Sequence, residues 1–320
     1  MTFGRASGAN PSGGVSSGGR VGETAVNGVD GPLDAASSFD DHAGAAPAFA
    51  PRGGAGRDRG VEVRPFPSTR RLVTAAVRAG RRMVPMHGLL EVDLTEARRL
   101  LAAHDPPLSL TAFVVVSVAR AAAAHPEVHA YRDWRGRLVQ HRHVDVQTLV
   151  EVATVQGPFG LVHVVRDADL RDVADISDEL RAVKADLDAT GTGRMLRRFG
   201  PAAARVPGLF PAMYAVMSRS KRVHLATGTV QVTAVGMFAG GAGFAIAPPT
   251  LASLVVVVGG LSRRPIAVDD QIVIHDVLDL TITIDHNVVD GAPATRFGAE
   301  LRHLMESAAA LAPKHPPNAS

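Results

Sequence analysis

The sequence has no cysteine, and its 320 residues include only one tryptophan and two tyrosines. Without cysteine, disulfides, thiolate metal sites and cysteine nucleophiles are excluded. Any nucleophilic or acid–base chemistry must therefore use other side chains, and we expect no metal centre. A reducing compartment suits such a composition, so we expect a cytoplasmic protein.

Lysine is almost as scarce, since only Lys184, Lys221 and Lys314 occur. The net charge of +3 therefore comes mainly from arginines, which are spread along the chain. A surface that binds nucleic acid needs basic residues clustered on one face. We expect no nucleic-acid partner.

Long apolar runs are missing as well. The longest strongly apolar run covers residues 251–258, whereas a membrane-spanning helix needs ~20 apolar residues. This run indicates a buried strand instead. The N-terminus also lacks the apolar core of a signal peptide, so we expect a soluble protein that does not enter a membrane.

Composition divides the chain into three parts. Residues 1–62 are rich in glycine, alanine and serine and show almost no apolar periodicity, which predicts a disordered tail. Residues 63–312 alternate periodic segments with turn signals, as a folded domain does, and residues 313–320 predict a second disordered tail. Within the domain, segment 191–226 mixes arginines with large apolar side chains.

This unusual segment has three interpretations. It could form an amphipathic helix pair that lines a pocket, a surface insertion packed on the core, or a basic amphipathic stretch that lies on a membrane. A packed surface insertion is the simplest of the three.

The periodic segments predict a mixed α+β domain. Helical periodicity covers residues 69–83, 95–103, 110–124, 173–187 and 292–310. Strand-like alternation covers residues 89–94, 144–150, 161–165, 229–235, 254–258, 271–277 and 280–284. Helices early and strands late in the chain predict a layered mixed sheet with helices on one face, in a single domain.

A histidine motif near the C-terminus is the main candidate for chemistry. The alternating segment Leu280–Asp285 predicts a strand, and it is followed by His286, by Asp290 four residues later, and by Gly291. A histidine at the end of a strand is, taken alone, more often structural than catalytic. In a tight loop between a strand and a helix, however, its ring can be held in one orientation and act as a general base at neutral pH.

A second candidate lies in the alternating strand that starts at Gly228. Thr233 on this strand offers a hydroxyl that could donate a hydrogen bond to a developing oxyanion. Threonine is also a common strand residue, so Thr233 gains significance only together with the histidine motif.

Four segments, taken in order, resemble the catalytic domain of the 2-oxo acid dehydrogenase acyltransferases, the E2 subunits. They are a basic helix at Arg70–Met83, a stretch from Glu91 to Glu127, the glycine-bounded strand Gly228–Phe238, and the histidine motif Asp285–Ala292. The resemblance covers roughly residues 64–311. It implies the two-layer fold shared with chloramphenicol acetyltransferase.

The resemblance also implies a mechanism and its residues. His286 would remove the proton from a thiol of coenzyme A or of a dihydrolipoyl group, and the thiolate would attack a thioester. Thr233 would stabilise the oxyanion. Asp290, the third residue of the catalytic set, would hold the active-site loop through an ion pair with an arginine, for which Arg70 is the best match. The active site would lie between the subunits of a homotrimer.

Some features depart from the family pattern. No lysine precedes Lys184, so we expect no covalently bound lipoyl group on this chain; the acceptor would come from a separate lipoyl-carrying protein, a dehydrogenase complex or another small thiol. Asn287 stands where the family often has arginine.

Two alternatives to a CoA-dependent acyltransferase remain: a non-catalytic scaffold subunit of a 2-oxo acid dehydrogenase complex, and an acyltransferase acting on a carrier-bound or membrane lipid.

Overall fold

The computed structural model describes residues 62–64, 74, 77–78, 80–81, 83–154, 157–185, 216–234, 241–248 and 250–314. Several predictions fall outside these residues: almost all of both predicted tails, most of the helix at residues 69–83 including Arg70, and most of segment 191–226. The proposed domain limits therefore stay predictions. The elements described below all belong to one compact unit, Val63–Ser320.

One mixed sheet dominates this unit. Its strands are β1 Pro85–Asp93, β4 Val146–Thr154, β5 Gly157–Val165, β6 Val230–Ala234, β7 Leu254–Val268 and β8 Gln271–Asp285, while β2 Tyr131–Arg132 and β3 Leu138–Val139 form a separate small hairpin. The order across the sheet is β1-β8-β7-β6-β4-β5. Strands β4, β6 and β7 run parallel to one another, and the remaining neighbours are antiparallel.

Five strands, β1, β4, β5, β7 and β8, are longer than the sequence indicated, and β7 and β8 depart most from the prediction. Two separate strands were predicted between residues 271 and 284, but β8 is continuous across them, and β7 extends ten residues beyond Val258 to pair with it. The reason is that alternation continues through Leu278 and Asp279. Both side chains are buried: Leu278 packs in the main core, and the Asp279 carboxylate is paired with Arg264 on β7 at 2.5 Å.

The four longest helices lie on one face of this sheet, as predicted. The helices are α1 Thr95–Ala103, α2 Leu110–Ala124, α3 Val173–Ala185, α4 Lys221–Thr227 and α5 Gly291–Glu306. Helix α2 is buried on all sides between α3, α5 and the strands β4 and β6. Its start also matches the prediction, since the Ser109 hydroxyl accepts a hydrogen bond from the backbone N–H of Ala112.

Strand alternation decides which side chains meet the helices. On β8, Leu278, Leu280, Ile282 and Ile284 are buried in the helix-side core, and the intervening Asp279, Thr281 and Thr283 point to the opposite face. That face is partly covered by residues 241–248, which cross β7 so closely that a Cβ on Gly260 would lie 1.9 Å from the carbonyl oxygen of Gly241. The strand that carries the histidine motif is therefore fixed from both faces.

Candidate active site

His286 is the first residue beyond β8. Its backbone N–H still donates to the carbonyl of Val84 at 2.8 Å, so it continues the pairing of β8 with β1. Its side chain is 46% exposed. The backbone is thus held by the sheet while the imidazole stays accessible to a substrate, which is what a general base needs.

Asp285 organises the loop around this histidine. Its carboxylate accepts hydrogen bonds from the backbone N–H groups of Val84 at 3.2 Å and Asn287 at 3.0 Å, and from the Asn287 side chain at 2.8 Å. Its carbonyl accepts from the N–H groups of Val288 and Val289. Asp285 therefore closes a tight turn immediately after the strand and fixes the position from which the imidazole projects.

Asp290 lies at the start of helix α5. One of its carboxylate oxygens is 3.8 Å from Nδ1 of His286, beyond hydrogen-bond distance. Its side chain is 91% exposed and makes no capping hydrogen bond with the helix. Because Arg70 lies outside the described residues, the predicted ion pair between the two stays a prediction.

Thr233 is not close to His286 within one chain. Thr233 is opposite Val257 on β7, which is opposite Thr281 on β8, whereas His286 lies five residues further along β8. Five residues at ~3.3 Å each and two strand spacings of ~4.8 Å place their Cα atoms on the order of 19 Å apart. The predicted pair therefore cannot act on one carbonyl within a single chain.

Two pockets flank the loop that carries His286. The first, called the apolar pocket, lies between α5 and the strands β1 and β8 and has a volume of about 370 Å³. It is lined mainly by Met86, Leu90, Ile282, Ile284 and small residues of α5, among them Gly291 and Gly298. It is an extension of the helix-side core that reaches the start of α5.

The second, called the polar pocket, lies on the other side of the loop and also has a volume of about 370 Å³. The residues that matter for its chemistry are Tyr131, Arg132, Asp133, Trp134, Arg219, Ser253, Asp285 and Asn287. Two of them, Asp285 and Asn287, are the immediate neighbours of His286. A ligand in this pocket would therefore lie beside the candidate base.

Two histidine rings contact Tyr131, which lines the polar pocket. The ring of Tyr131 stacks on His224 with centroids 3.8 Å apart, and its hydroxyl is 3.4 Å from Nε2 of His141. Burial lowers the pKa of His224 and of His141, and raises the pKa of Tyr131 to about 12. These groups are therefore uncharged at neutral pH, and the charge of the pocket comes from its arginines and aspartates.

Other site types find no support in the described residues. No group of three histidine, aspartate or glutamate side chains among them is arranged to hold a metal ion. None of the helices in the described part of the chain has the length and apolar character needed to cross a membrane.

Comparison with known proteins identifies the family. The model of the 2-oxoacid dehydrogenases acyltransferase (catalytic domain) family matches residues 59–191 and 214–312. The chain belongs to this family. The gap in the match, residues 192–213, falls inside segment 191–226, whose mixture of arginines and large apolar residues had indicated an unusual insertion.

Individual relatives of this acyltransferase family are distant. The dihydrolipoyllysine-residue acetyltransferase component of the Zymomonas mobilis pyruvate dehydrogenase complex is 26% identical over 223 residues, which is 70% of this chain and 43% of the relative. The chain thus spans less than half the length of that curated relative.

Solved structures of the family confirm the predicted fold. A probable dihydrolipoamide acetyltransferase from Listeria monocytogenes has a TM-score of 0.57 and 18% identity, covering 81% of this chain and 98% of that one. The dihydrolipoamide acetyltransferase of Azotobacter vinelandii has a TM-score of 0.57 and 17% identity, covering 82% and 99%. At such identities the likeness shows the fold.

Several residues around His286 were not predicted from the sequence. Asp285 was seen only as the neighbour of His286, although Asp-x-Asn after a strand is a recognisable turn signal. Tyr131, Trp134 and Arg219 gave no usable signal, because they come from a short hairpin and from the end of segment 191–226. Only the fold brings them to the loop after β8.

Proposed function

We propose that the chain is a CoA-dependent acyltransferase in which His286 is the general base. The observation that carries the proposal is the position of His286: a half-exposed imidazole at the end of an inner strand, in a loop that Asp285 closes, in a chain of an acyltransferase family. An imidazole can take up and return a proton near neutral pH.

The reaction follows from this placement. A ring nitrogen of His286 takes the proton of the acceptor thiol, and the resulting thiolate attacks the carbonyl carbon of the acyl thioester. The tetrahedral intermediate carries a negative oxygen, which needs a hydrogen-bond donor. When it collapses, the carbon–sulfur bond to CoA breaks, and the imidazolium returns its proton to the leaving thiolate.

The oxyanion donor is proposed to be Thr233 of a neighbouring copy of the chain. The separation of Thr233 from His286 within one chain supports this arrangement, because the two side chains can meet only if two copies face each other. The trimer is the form that the family resemblance implies. Each of its three sites would combine His286 of one copy with Thr233 of the next.

Relatives support the same assignment. In Azotobacter vinelandii dihydrolipoamide acetyltransferase, a serine, a histidine and an asparagine have been investigated for their role in the catalytic mechanism, the asparagine being four residues after the histidine. The serine precedes that histidine by 52 residues. Here Thr233 precedes His286 by 53 residues and Asp290 follows it by four.

Asp290 is proposed to be structural, with its carboxylate at the start of α5 and paired to Arg70 rather than to the imidazole. The acceptor is proposed to be a dihydrolipoyl group on a separate protein, or another small thiol. The name of the Zymomonas relative supports the dihydrolipoyl class.

A thiol-release assay with a panel of acyl-CoA thioesters and dihydrolipoamide tests the role of His286. His286→Ala should lower kcat by about 10²- to 10⁴-fold, the usual contribution of general-base catalysis. His303→Ala, an exposed histidine on α5, is the matched control and should keep wild-type rates. Full activity of His286→Ala would exclude this mechanism. No transfer by the wild type, together with co-purification of a dehydrogenase, would favour the scaffold alternative.

Mixing two inactive variants tests the shared site. Thr233→Val should lose about 10²-fold or more in kcat, as the removal of an oxyanion donor does. Trimers assembled at random from equal amounts of His286→Ala and Thr233→Val should regain about a quarter of wild-type activity, because one site in four then has both residues. A mixture no more active than its components would show that the site lies within one chain.

A further inference from the structure

The chain that follows Thr233 crosses the sheet at a defined place. Strand β6 ends at Ala234, one residue beyond Thr233, and the next described part of the chain, residues 241–248, crosses β7 on the face opposite the helices. Thr233 points to that same face, because its neighbour Val232 lies in the helix-side core. Whatever holds residues 241–248, called the crossing segment, therefore helps to fix the end of β6.

Two glycines on β7 make room for the crossing segment. Gly259 and Gly260 lie at the irregularity in the pairing of β7 with β8. A Cβ on Gly259 would lie 2.4 Å from the carbonyl oxygen of Gly243, and a Cβ on Gly260 would lie 1.9 Å from that of Gly241. The N–H of Gly260 donates to the carbonyl of Gly243 at 2.8 Å. The crossing segment thus lies directly on the backbone of β7, which provides its first anchor.

Asp279 on β8 provides the second anchor. One oxygen of its carboxylate accepts the N–H of Gly243 at 2.7 Å and is paired with Arg264 at 2.5 Å. The other oxygen is buried and accepts no hydrogen bond from the described residues. Gly243 is therefore held through both its carbonyl and its N–H, by two neighbouring strands.

Stability of the sheet does not explain a carboxylate at this position. Asp279 is 1% exposed, and its partner Arg264 is shared with Glu91 at 2.6 Å. A buried ion pair is often no more stable than apolar residues in its place, and a buried oxygen without a partner costs free energy. The presence of Asp279 is better explained by the N–H group that it holds.

Although Asp279 shares β8 with His286, it lies closer to Thr233. Thr233 is in register with Thr281 across β7, so Asp279 is two residues from that row, on the side where β6 ends. At ~3.3 Å per residue and ~4.8 Å per strand, its Cα atom is on the order of 12 Å from that of Thr233 and on the order of 23 Å from that of His286. Within one chain, Asp279 is thus placed to affect Thr233 rather than the imidazole.

We propose that Asp279 is a positioning residue for the oxyanion donor: by holding the crossing segment at Gly243, it keeps Thr233 where the tetrahedral intermediate needs a hydrogen bond. This rests on the proposed acyltransferase function and adds a residue that acts on the Thr233 half of the shared site. Asp279 acts through the backbone and does not touch the substrate. Its loss should lower kcat and leave KM unchanged, because an oxyanion donor is needed only in the transition state.

Kinetics of the full chain with acetyl-CoA and dihydrolipoamide test this role first. Asp279→Ala should lower kcat by about 10- to 100-fold, at most the loss expected from Thr233→Val, with KM unchanged. Asp279→Asn keeps a carbonyl oxygen that can accept the N–H of Gly243 and should recover part of the lost kcat. Asp169→Asn is the matched control, because Asp169 is another buried carboxylate that accepts a backbone N–H, from Val144 at 2.8 Å. It should keep the wild-type kcat.

Mixed trimers then show which half of the shared site Asp279 serves. An equal mixture of Asp279→Ala and His286→Ala should recover about a quarter of wild-type activity, because one site in four has both halves intact. A mixture of Asp279→Ala and Thr233→Val should be no more active than its components, because every site then has a damaged Thr233 half. Gly260→Ala, which disturbs the other anchor of the crossing segment, should show the same pattern. If Asp279→Ala does not assemble, Asp279→Asn replaces it in both mixtures.

Recovery with Thr233→Val but not with His286→Ala would place Asp279 in the histidine half of the site and overturn the proposal. Equal recovery in both mixtures, no recovery of an assembled variant in either, or an unchanged kcat of Asp279→Ala would make the residue structural only and overturn it as well. These results leave the proposed function intact. The proposed function fails instead if His286→Ala keeps full activity.

Discussion

The apolar and the polar pocket lie on the two sides of one loop and have the same volume, about 370 Å³ each, but they are built in different ways. The apolar pocket is made by regular elements, with Ile282 and Ile284 on the helix side of β8 and small residues of α5 above them. The polar pocket is made by chain ends, turns and a short hairpin.

Because the two pockets are built differently, we expect substitutions in them to affect different properties of the protein. Regular elements repeat their side-chain directions, so a pocket between them continues the core and has the same apolar character. Loops have no such repeat and can bring arginine, tyrosine and tryptophan together from distant parts of the sequence. Changes in the apolar pocket should therefore affect mainly the free energy of unfolding, and changes in the polar pocket mainly substrate binding.

The strongest test of this contrast is a truncation on the apolar side. Ile284 is 2% exposed and lines the apolar pocket. Ile284→Ala should lower the free energy of unfolding by about 2–5 kcal/mol, because a cavity forms in the core. Arg132→Ala in the polar pocket should change it by less than about 0.5 kcal/mol. Urea unfolding measures both, and equal losses would contradict the contrast.

The loop between the pockets should be the next most sensitive region. Asp285→Ala removes the acceptor of three hydrogen bonds. We expect a loss of about 1–3 kcal/mol in unfolding free energy, and a fall in kcat because the imidazole is no longer held. Asp285→Asn keeps one carbonyl oxygen as an acceptor and should be milder in both assays. An Ala variant with unchanged kcat would show that the turn does not position His286.

Acid should lower the free energy of unfolding through the buried His129. His129 is fully buried, and burial lowers its pKa to about 4, so the folded state stays unprotonated while the unfolded chain takes up a proton below pH 6.5. The contribution of His129 to stability is complete above pH 6.5 and is lost as pH falls towards 4. By pH 5 the loss should be on the order of 1–2 kcal/mol.

The variant His129→Asn isolates this effect, because its amide can still bond Thr229, the partner of Nδ1 at 2.8 Å. Urea unfolding at pH 8 and pH 5 should show a smaller difference for this variant than for wild type. His303→Asn on the surface should behave as wild type. An unchanged difference in His129→Asn would mean that other groups cause the acid sensitivity.

The smallest expected effect is a gain. Gly298 lies inside α5, and a Cβ added there would meet Ile282 and Leu90 at 3.8 Å, which is ordinary contact. Gly298→Ala should therefore raise the unfolding free energy by about 0.5–1 kcal/mol through better helix propensity. Gly260→Ala should do the opposite, because its Cβ would clash with Gly241. Thermal unfolding measures both variants, and it compares a position with room for a methyl group, Gly298, with one that has none, Gly260.

Sequence periodicity predicted the regular elements well. Both limits of α2 and the end of α1 were predicted to the residue, and the alternation of Leu280, Ile282 and Ile284 predicted their burial against helices. The extension of β7 and β8 was not predicted. In the sequence Asp279 indicates the end of a strand, and only the structure shows that its buried carboxylate is paired with Arg264.

The candidate site was predicted less completely. His286 and Thr233 were recognised from local patterns and family resemblance, both of which depend on neighbours in sequence. Their separation on the sheet was not predicted, because it depends on the register of three strands that are far apart in the chain.

The sequence alone determined the α+β class, the helices on one face, the family, and a histidine at the end of a strand, because each depends on local periodicity or on an ordered motif. Tertiary structure alone decided which residues surround that histidine. The strand register separates Thr233 from it, and the packing of a hairpin and of the segment before α4 against the loop after β8 creates the polar pocket. Contacts between distant segments leave no periodic trace in sequence.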